Sequence, residues 1–428
     1  MNGAALGIDL GTSGCRGIAI AADGSILAHT HTELPPPLRR QAQVEQNPQL
    51  WWQAVDHIIR QILIQLGDIP LTSIAIDGTS GTLLLCDTDG QPLTPGLMYN
   101  DARATAEAER ISACAPTDTA ASGASSALAK LLWLQQHGPI TEAHFALHQA
   151  DWVANRLGGE FGLSDTNNCM KLGYDALAAE WPAWLDQLAI PRELLPRALP
   201  PGSLMGQLTP QLAAHYDIDH TVAIVAGTTD STAAIYASGA AEPGDAITSL
   251  GSTLVTKVIC ETPIYDPKHG VYSQPFGRYW LVGGASNSGG NVLLNYFSRE
   301  QLAQMTPLLQ PGEATGLDYY PLCEPGERFP INDPDYPPRL SPRPDSDMLF
   351  FQAILEGIAE IEKQAYLLLE ALGAPYPQRV YTLGGGASNA AWRQIRQHKL
   401  SVEVITATQT EAAYGSALLA RLHQQQGE

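Results

Sequence analysis

The chain has 428 residues, a length that calls for two or three domains rather than a single core. Its 44 acidic and 24 basic side chains leave a net charge of −20, which excludes a surface built to grip nucleic acid or an anionic membrane, because both need clustered Lys and Arg. A 44% hydrophobic content without low-complexity runs excludes a disordered chain, so any anionic ligand must be held locally, by backbone N–H groups, a metal or a few placed side chains.

In chain order, AALGIDL (4–10), CRGIAIAA (15–22) and SILAHTHT (25–32) read as strands joined by the tight turns GTSG and Asp23-Gly24. A helix follows, capped by Asn47 with Pro48 in its first turn, and Trp51, Val55, Ile58, Ile59, Ile62 and Leu66 lie along one face. SIAID (73–77) is a buried strand ending in a glycine turn, a further strand and Asp-Gly turn occupy 82–90, and helices alternate with loops over 101–190. VAIVA (222–226) is a fully apolar strand, and DAITSL and TLVTKVI within 245–259 flank another glycine turn. Eight prolines between 321 and 344 predict an irregular surface loop. A long helix over about 347–372 stops at Gly373, and strand RVYTL, a glycine loop, a helix, strand VEVIT and a closing helix complete the chain. This rhythm is that of an α/β protein.

The cysteines (Cys15, Cys86, Cys114, Cys169, Cys260, Cys323) include no CxxC pair, so they read as small buried side chains of a reducing compartment. Without a signal segment or a run of 18 apolar residues, the expected location is the cytoplasm, or a soluble organelle compartment if a leader was removed.

Two echoes stand out. IDLGTS (8–13) resembles TSLGST (248–253), and GGASN occurs at 283–287 and again at 385–389. Together they predict two similarly built halves with a cleft between them.

The chain has neither GxxxxGK[ST] nor a GxGxxG after its first strand, so the two commonest phosphate cradles are absent. Instead Asp9 ends a strand and is followed by a turn of small residues, Gly11-Thr12-Ser13. Successive N–H groups in such a turn form an anion site, to which Thr12 and Ser13 add hydroxyls. Asp9 would repel a phosphate unless a cation lay between them, and Mg²⁺ held through one carboxylate and water resolves that conflict. Taken alone, the motif also suits a plain hairpin. In AGTTDS (226–231), Asp230 opens a helix after a buried strand, where it serves as a cap or, beside a substrate hydroxyl, as a general base. Gly384-Gly385-Gly386, with Asn389 and Trp392 beyond, lets backbone approach a flat ring closely, although a plain strand-to-helix turn has the same composition.

The order of DxGTSxxR, GTTDS and GGGxSN resembles the phosphate and adenosine motifs of the actin-like ATPase superfamily. Within it the chain resembles an FGGY-family carbohydrate kinase from about Leu6 to Leu419. Ser125 with Lys130-Leu131-Leu132-Trp133 is similar to that family's first signature, LEGIAEIE (355–362) to its second and EAAYGSALLA (411–420) to its C-terminal helix. Asn100-Asp101-Ala102-Arg103 resembles the W-x-D-x-R segment of xylulose and ribulose kinases. The departures fall on the sugar side: Ala127 replaces Pro, Ser or Thr, Tyr99 replaces Trp, and Gly78-Thr79-Ser80-Gly81 replaces a Met-His pair. The pattern most resembles the compact D-ribulose kinase branch.

The resemblance implies an α/β fold of two actin-like (ribonuclease H-like) domains with a nucleotide cleft between them. Residues 2–237 plus 411–428 would form the sugar and phosphate side, and 238–410 the adenosine side. It implies ATP as co-substrate with Mg²⁺, the metal held by Asp9, and phosphates near Gly11, Thr12, Ser13, Gly251, Ser252 and Gly289. Adenosine would lie by Gly385, Gly386, Asn389 and Trp392, and the sugar by Thr79, Ser80 and Asp101, with Asp230 as the base for the attacking hydroxyl. The implied reaction moves the γ-phosphoryl group of ATP to a small ketose, D-ribulose ahead of D-xylulose, L-ribulose or glycerol. The reading from another class is a non-catalytic nucleotide switch in the manner of actin or Hsp70. The expected partners are ATP or ADP and a small sugar or polyol, with no nucleic acid and no membrane.

Overall fold

In each half of the chain an antiparallel meander feeds into parallel strands. The computed structural model describes residues 3–426, which divide into unit 1, running to Ala237 and resuming at Glu411, and unit 2, Ser238–Thr410.

In unit 1, β1 (Ala4–Leu10), β2 (Gly14–Ile20) and β3 (Ile26–Glu33) form the meander, and helix α1 (Pro48–Leu66), capped by Asn47, leads into β4 (Leu71–Gly78). β4 lies parallel to β1. Beyond the long α2 (Ala127–His137) and α3 (Gln149–Gly158), strands β5 (Leu204–Gln207) and β6 (Ala223–Val225) and helix α4 (Asp230–Ser238) complete the unit's main chain path. The sheet order is β5-β6-β4-β1-β2-β3.

Every residue of β1 is buried, as a central strand covered on both faces demands. Leu6, Ile8 and Leu10 share one apolar cluster with Val55, Ile58 and Ile62 of α1. Ala5 points the other way, into a cluster with Ala413 and Ala417 of the closing helix α7 (Ala412–Gln426). Because side chains alternate along a strand, Asp9 shares a face with Ala5, and Asp77 with Ala75 of the same cluster. The polar turn that follows β4 leads into a smaller sheet, with strands at 83–86, 96–97 and 145–148, which packs on α2.

In unit 2, β7 (Asp245–Leu250), β8 (Leu254–Cys260), β9 (Tyr272–Phe276) and β10 (Tyr279–Ser286) are antiparallel neighbours. The helix α5 (Asp347–Ala371), β11 (Arg379–Leu383), α6 (Ala390–Leu400) and β12 (Glu403–Thr406) follow, and the chain then re-enters unit 1 as α7 (Ala412–Gln426). The order β9-β10-β8-β7-β11-β12, with β11 parallel to β7 and β12 to β11, repeats the central arrangement of unit 1.

That repetition separates the two sequence echoes. IDLGTS and TSLGST are the same hairpin turn in two sheets, pairing Leu10 with Cys15 and Leu250 with Leu254. The GGASN copies are not equivalent: the first closes β10, the counterpart of β3, and the second follows β11, the counterpart of β4. The place after the fourth strand of unit 1 belongs to Gly78-Thr79-Ser80-Gly81.

The proline-rich segment is irregular as expected, and it is a surface loop over 331–344, where no residue is buried, whereas its first part packs inward. Leu322, Phe329 and Glu327 are buried, and Glu327 accepts hydrogen bonds from Ser286 Oγ, Tyr320 Oη and the Asn287 N–H at 2.6, 2.9 and 2.7 Å. Proline forbids ladder hydrogen bonds yet does not stop side chains from packing, and one buried carboxylate supplies the acceptors that a ladder would have given. All six cysteines are free thiols, with Cys114 and Cys323 only partly buried. Among the described residues no helix is long and apolar enough to cross a membrane.

Beneath the C-terminal ends of β7 and β11, the buried Arg396 of α6 binds Glu362 of α5 through two bonds of 2.6 and 2.7 Å. Thr248 of β7 donates to Glu362, and Thr382 of β11 accepts from Arg396. This network ties two strands to two helices through direct hydrogen bonds. Removing one member strands a buried charge, so Arg396→Leu is expected to lower unfolding stability by about 3–5 kcal/mol, read by chemical denaturation.

Candidate active site

Unit 1 gathers carboxylates at the C-terminal ends of its parallel strands, where ligands of α/β sheets bind. The register places Asp9 of β1 directly beside Asp77 of β4 and across from Arg16 of β2. Arg16 Nη1 donates to Asp9 Oδ2 at 3.2 Å and its Nε lies 3.6 Å from Glu411. Asp77 is fully buried, and its Oδ2 accepts from Ser416 Oγ of α7 at 2.6 Å while its Oδ1 has no protein partner. Burial holds the Asp77 carboxyl well above the usual range, with the Asp9 charge adding to it. Asp9 is raised less, burial being opposed by the Arg16 guanidinium. A pair so placed holds one proton between its two members, and that proton belongs on Asp77.

Asp230 opens α4 and is half-buried. The segment before it must approach β4 closely: a Cβ on Gly227 would lie 1.8 Å from the Ile76 carbonyl oxygen, and Thr229 bridges Gly78. Only glycine lets the backbone come that near, and the approach brings Asp230 into the field of Asp9 and Asp77. Burial pushes Asp230 up to about 6, the Ser231 N–H that its Oδ1 accepts at 2.6 Å pulls it down, and the Asp9 charge raises it.

The turn after β1 uses the Gly11 N–H and the Gly14 carbonyl for its own closure at 3.0 Å, while the Thr12 and Ser13 side chains have no hydrogen-bond partner among the described residues. This leaves hydroxyls free next to Asp9. No group of three or more His, Cys, Asp or Glu side chains among the described residues could hold a metal ion alone. The donor set nonetheless suits one hard cation: the ionised Asp9, beside the free Thr12 and Ser13 hydroxyls, matches the single carboxylate that Mg²⁺ takes when phosphates and water complete its shell.

The turn after β4 is held from within. Gln149 Oε1 accepts from the Thr79 N–H and Oγ1 at 3.1 and 2.8 Å, and Thr79 Oγ1 meets Thr82 Oγ1 at 2.6 Å. Ser80 is partly exposed with no partner. Asp101 is placed differently from Thr79 and Ser80. It is fully buried, with Oδ2 accepting from the Val44 N–H at 2.6 Å and from Arg103 Nη2 at 2.7 Å. Its carboxylate is spent on the protein, and Arg103 in turn stacks 4.7 Å above the Trp133 ring.

In unit 2 a cavity of about 540 Å³ is lined by Gly251, Ser252, Asn291, Gly385, Asn389 and Trp392, among others. Gly289 lies behind it as the residue before a short helix at 290–294. One wall is Trp392, whose indole Nε1 donates to the Leu355 carbonyl at 3.1 Å. A Cβ on Gly386 would come within 2.7 Å of that ring and 2.8 Å of Leu250, so the wall stands where it does only because residue 386 is glycine. Gly385 faces open space. Asn389 Oδ1 caps α6 by accepting the Trp392 N–H at 2.9 Å.

Asp9 and Asp230, with Gly11, Thr12, Ser13, Thr79 and Ser80, thus belong to unit 1, while Gly251, Ser252, Gly289, Gly385, Gly386, Asn389 and Trp392 belong to unit 2. Asp77 and Gln149 are residues that the motifs did not single out, and Ser416 lies within EAAYGSALLA (411–420) but is not among the expected site residues. For Asp77 a signal exists: Ile76-Asp77-Gly78-Thr79-Ser80 repeats Ile8-Asp9-Leu10-Gly11-Thr12-Ser13 with one residue fewer. Gln149 carries none, its partner lying 70 residues away, and the motif around Ser416 does not reveal that its partner is Asp77, 339 residues away.

The sequence model of the N-terminal domain of the FGGY family of carbohydrate kinases matches residues 4–237, and that of the C-terminal domain matches 246–422. The xylulose kinase of Escherichia coli (strain K12) is 25% identical over 416 residues, 91% of this chain and 83% of that protein. The xylulose kinase of Bacillus subtilis (strain 168) is 26% identical over 443 residues, 97% of this chain and 87% of that protein. A xyloylose kinase from Brucella ovis shares the fold with a TM-score of 0.89 at 23% identity, over 99% of this chain and 91% of that one.

Asn389→Ala removes the cap that places Trp392. It is expected to cost about 1 kcal/mol of unfolding stability, measured by chemical denaturation of the whole chain.

Proposed function

Because the chain belongs to the FGGY family of carbohydrate kinases and is a sugar phosphotransferase of the ATP-dependent kind, we propose that it phosphorylates a five-carbon ketose, with D-ribulose as the favoured acceptor. The observation that carries the catalytic part is Asp230, a carboxylate poised at about 6 beside Asp9 in unit 1. At neutral pH it is mostly ionised and basic enough to take the proton of an attacking hydroxyl. The sugar oxygen bonds to the γ-phosphorus as the bond to the ADP oxygen breaks, and the hydroxyl proton passes to Asp230. The Thr12 and Ser13 hydroxyls, free of protein partners, hold transferring phosphate oxygens. Mg²⁺ held by Asp9 through water would neutralise phosphate charge, which a chain with a net charge of −20 cannot do with lysines. The cavity with Trp392 and Gly386 receives adenosine, and Gly251 and Ser252 beside it receive phosphate.

Thr79 and Ser80 support the ribulose reading, since two small hydroxyl side chains stand where a Met-His pair resembling that of xylulose kinases would be. The second reading is D-xylulose, favoured by the names that the relatives carry. Catalytic efficiency across D-ribulose, D-xylulose, L-ribulose and glycerol tests both. The largest value is expected for D-ribulose, and ADP release indifferent to every sugar would overturn the kinase reading.

The raised value of Asp230 sets a direction with pH. Protonation removes the base, so kcat/KM for the sugar is expected to fall as pH drops through about 6. Asp230→Asn is expected to lower kcat by roughly 10²-fold or more and to lose this acid limb, with binding of ATP retained in calorimetry.

A further inference from the structure

The two sugar-side motifs that the chemistry above leaves unused meet below the turn after β4. Lys130 of α2 has no exposed surface, and its Nζ donates to the carbonyl of Gly81 at 2.7 Å. We propose that Lys130 is a positioning residue for sugar binding, holding Gly81 from behind so that the Thr79–Gly81 turn presents Ser80 to the acceptor. This rests on the sugar-kinase reading of that turn.

An ammonium buried among apolar neighbours costs stability that a methionine of similar length would not, so packing alone does not call for a lysine there. Its surroundings are specific. Ala127, Leu128, Leu131 and Leu132 on the same helix are buried hydrophobes. The charged groups that act on it are Asp101, which favours the ammonium, and Arg103, which opposes it. Asp101 is saturated by Val44 and Arg103, and Arg103 is fixed by Glu45 at 2.7 Å and by the Trp133 ring. Among the described residues the hydrogen bond that leaves this cluster toward the turn goes from Lys130 to the Gly81 carbonyl.

The turn is therefore pinned at both ends by side chains from distant helices, Gln149 at Thr79 and Lys130 at Gly81. Between these pins Ser80 alone keeps a hydroxyl with no protein partner. Burial lowers Lys130 to about 7, and the neutral amine still donates to a carbonyl, so the pin survives deprotonation.

The test uses the full-length enzyme with D-ribulose and D-xylulose as probes. Lys130→Met is expected to raise the sugar KM by roughly tenfold or more, because a small misplacement of contact groups is costly, while the KM for ATP stays within about twofold. Ser80→Ala is expected to raise the sugar KM by itself, and the double variant is expected to be no worse than the poorer single one, since both changes act through one contact. An unchanged sugar KM in Ser80→Ala would overturn the sugar reading of the turn and the proposal with it. A rise in Ser80→Ala without one in Lys130→Met would overturn the proposal alone. Equal losses for ATP and sugar, or failure of both Lys130→Met and Lys130→Gln to fold, would assign Lys130 to the fold and overturn its positioning role.

Discussion

Two carboxyl groups on adjacent parallel strands are the constraint around which unit 1 is arranged. Register sets Asp9 beside Asp77, and both face the same side of the sheet because the side-chain period is two. Like charges so close cannot both ionise in a buried setting, and three partners relieve them: Arg16 on Asp9, Ser416 on Asp77, and a proton retained by the more deeply buried member. The closing helix is part of this solution, since α7 reaches back from the far end of the chain to supply Ser416. Asp230 then joins the group on a segment that only a glycine at 227 lets approach β4.

The same strand order occurs twice, and the chemistry differs because one turn is filled differently. After β11 of unit 2, the counterpart of β4, glycines leave space beside an indole wall. After the fourth strand of unit 1, the corresponding turn carries hydroxyls pinned by Gln149 and Lys130. One topology thus offers a recess beside an indole in one unit and a polar turn near carboxylates in the other. The unit 2 recess is kept in shape by a charge network, Glu362 with Arg396, whose members sit under the strands that carry its loops.

Much of this was legible in the sequence. The hairpin at Gly11–Ser13, the cap at Asn47, the apolar strand before Asp230 and the three-glycine turn all follow from local rules about turns, caps and alternation. The proline-rich segment shows where such rules stop. Its irregularity was readable, whereas the burial of its first part goes with Glu327, a single residue whose partners include Ser286 of β10 and the Asn287 that follows it. Asp101 shows the same limit from the other direction, since its motif pointed to the sugar and its oxygens are occupied by Val44 and Arg103.

The amino-acid sequence by itself determined the α/β class, the family and the residue types that carry the chemistry, because these depend on local pattern and on motifs short in sequence. A −20 charge already pointed any anionic ligand to local groups: backbone N–H, a metal or a few placed side chains. Only the tertiary structure decided that Asp77 stands beside Asp9, that Ser416 reaches Asp77 across 339 residues and that Lys130 holds Gly81 across 49. Those contacts depend on strand register and helix docking, and a hydrogen bond between residues far apart in the chain leaves no periodic trace in either segment.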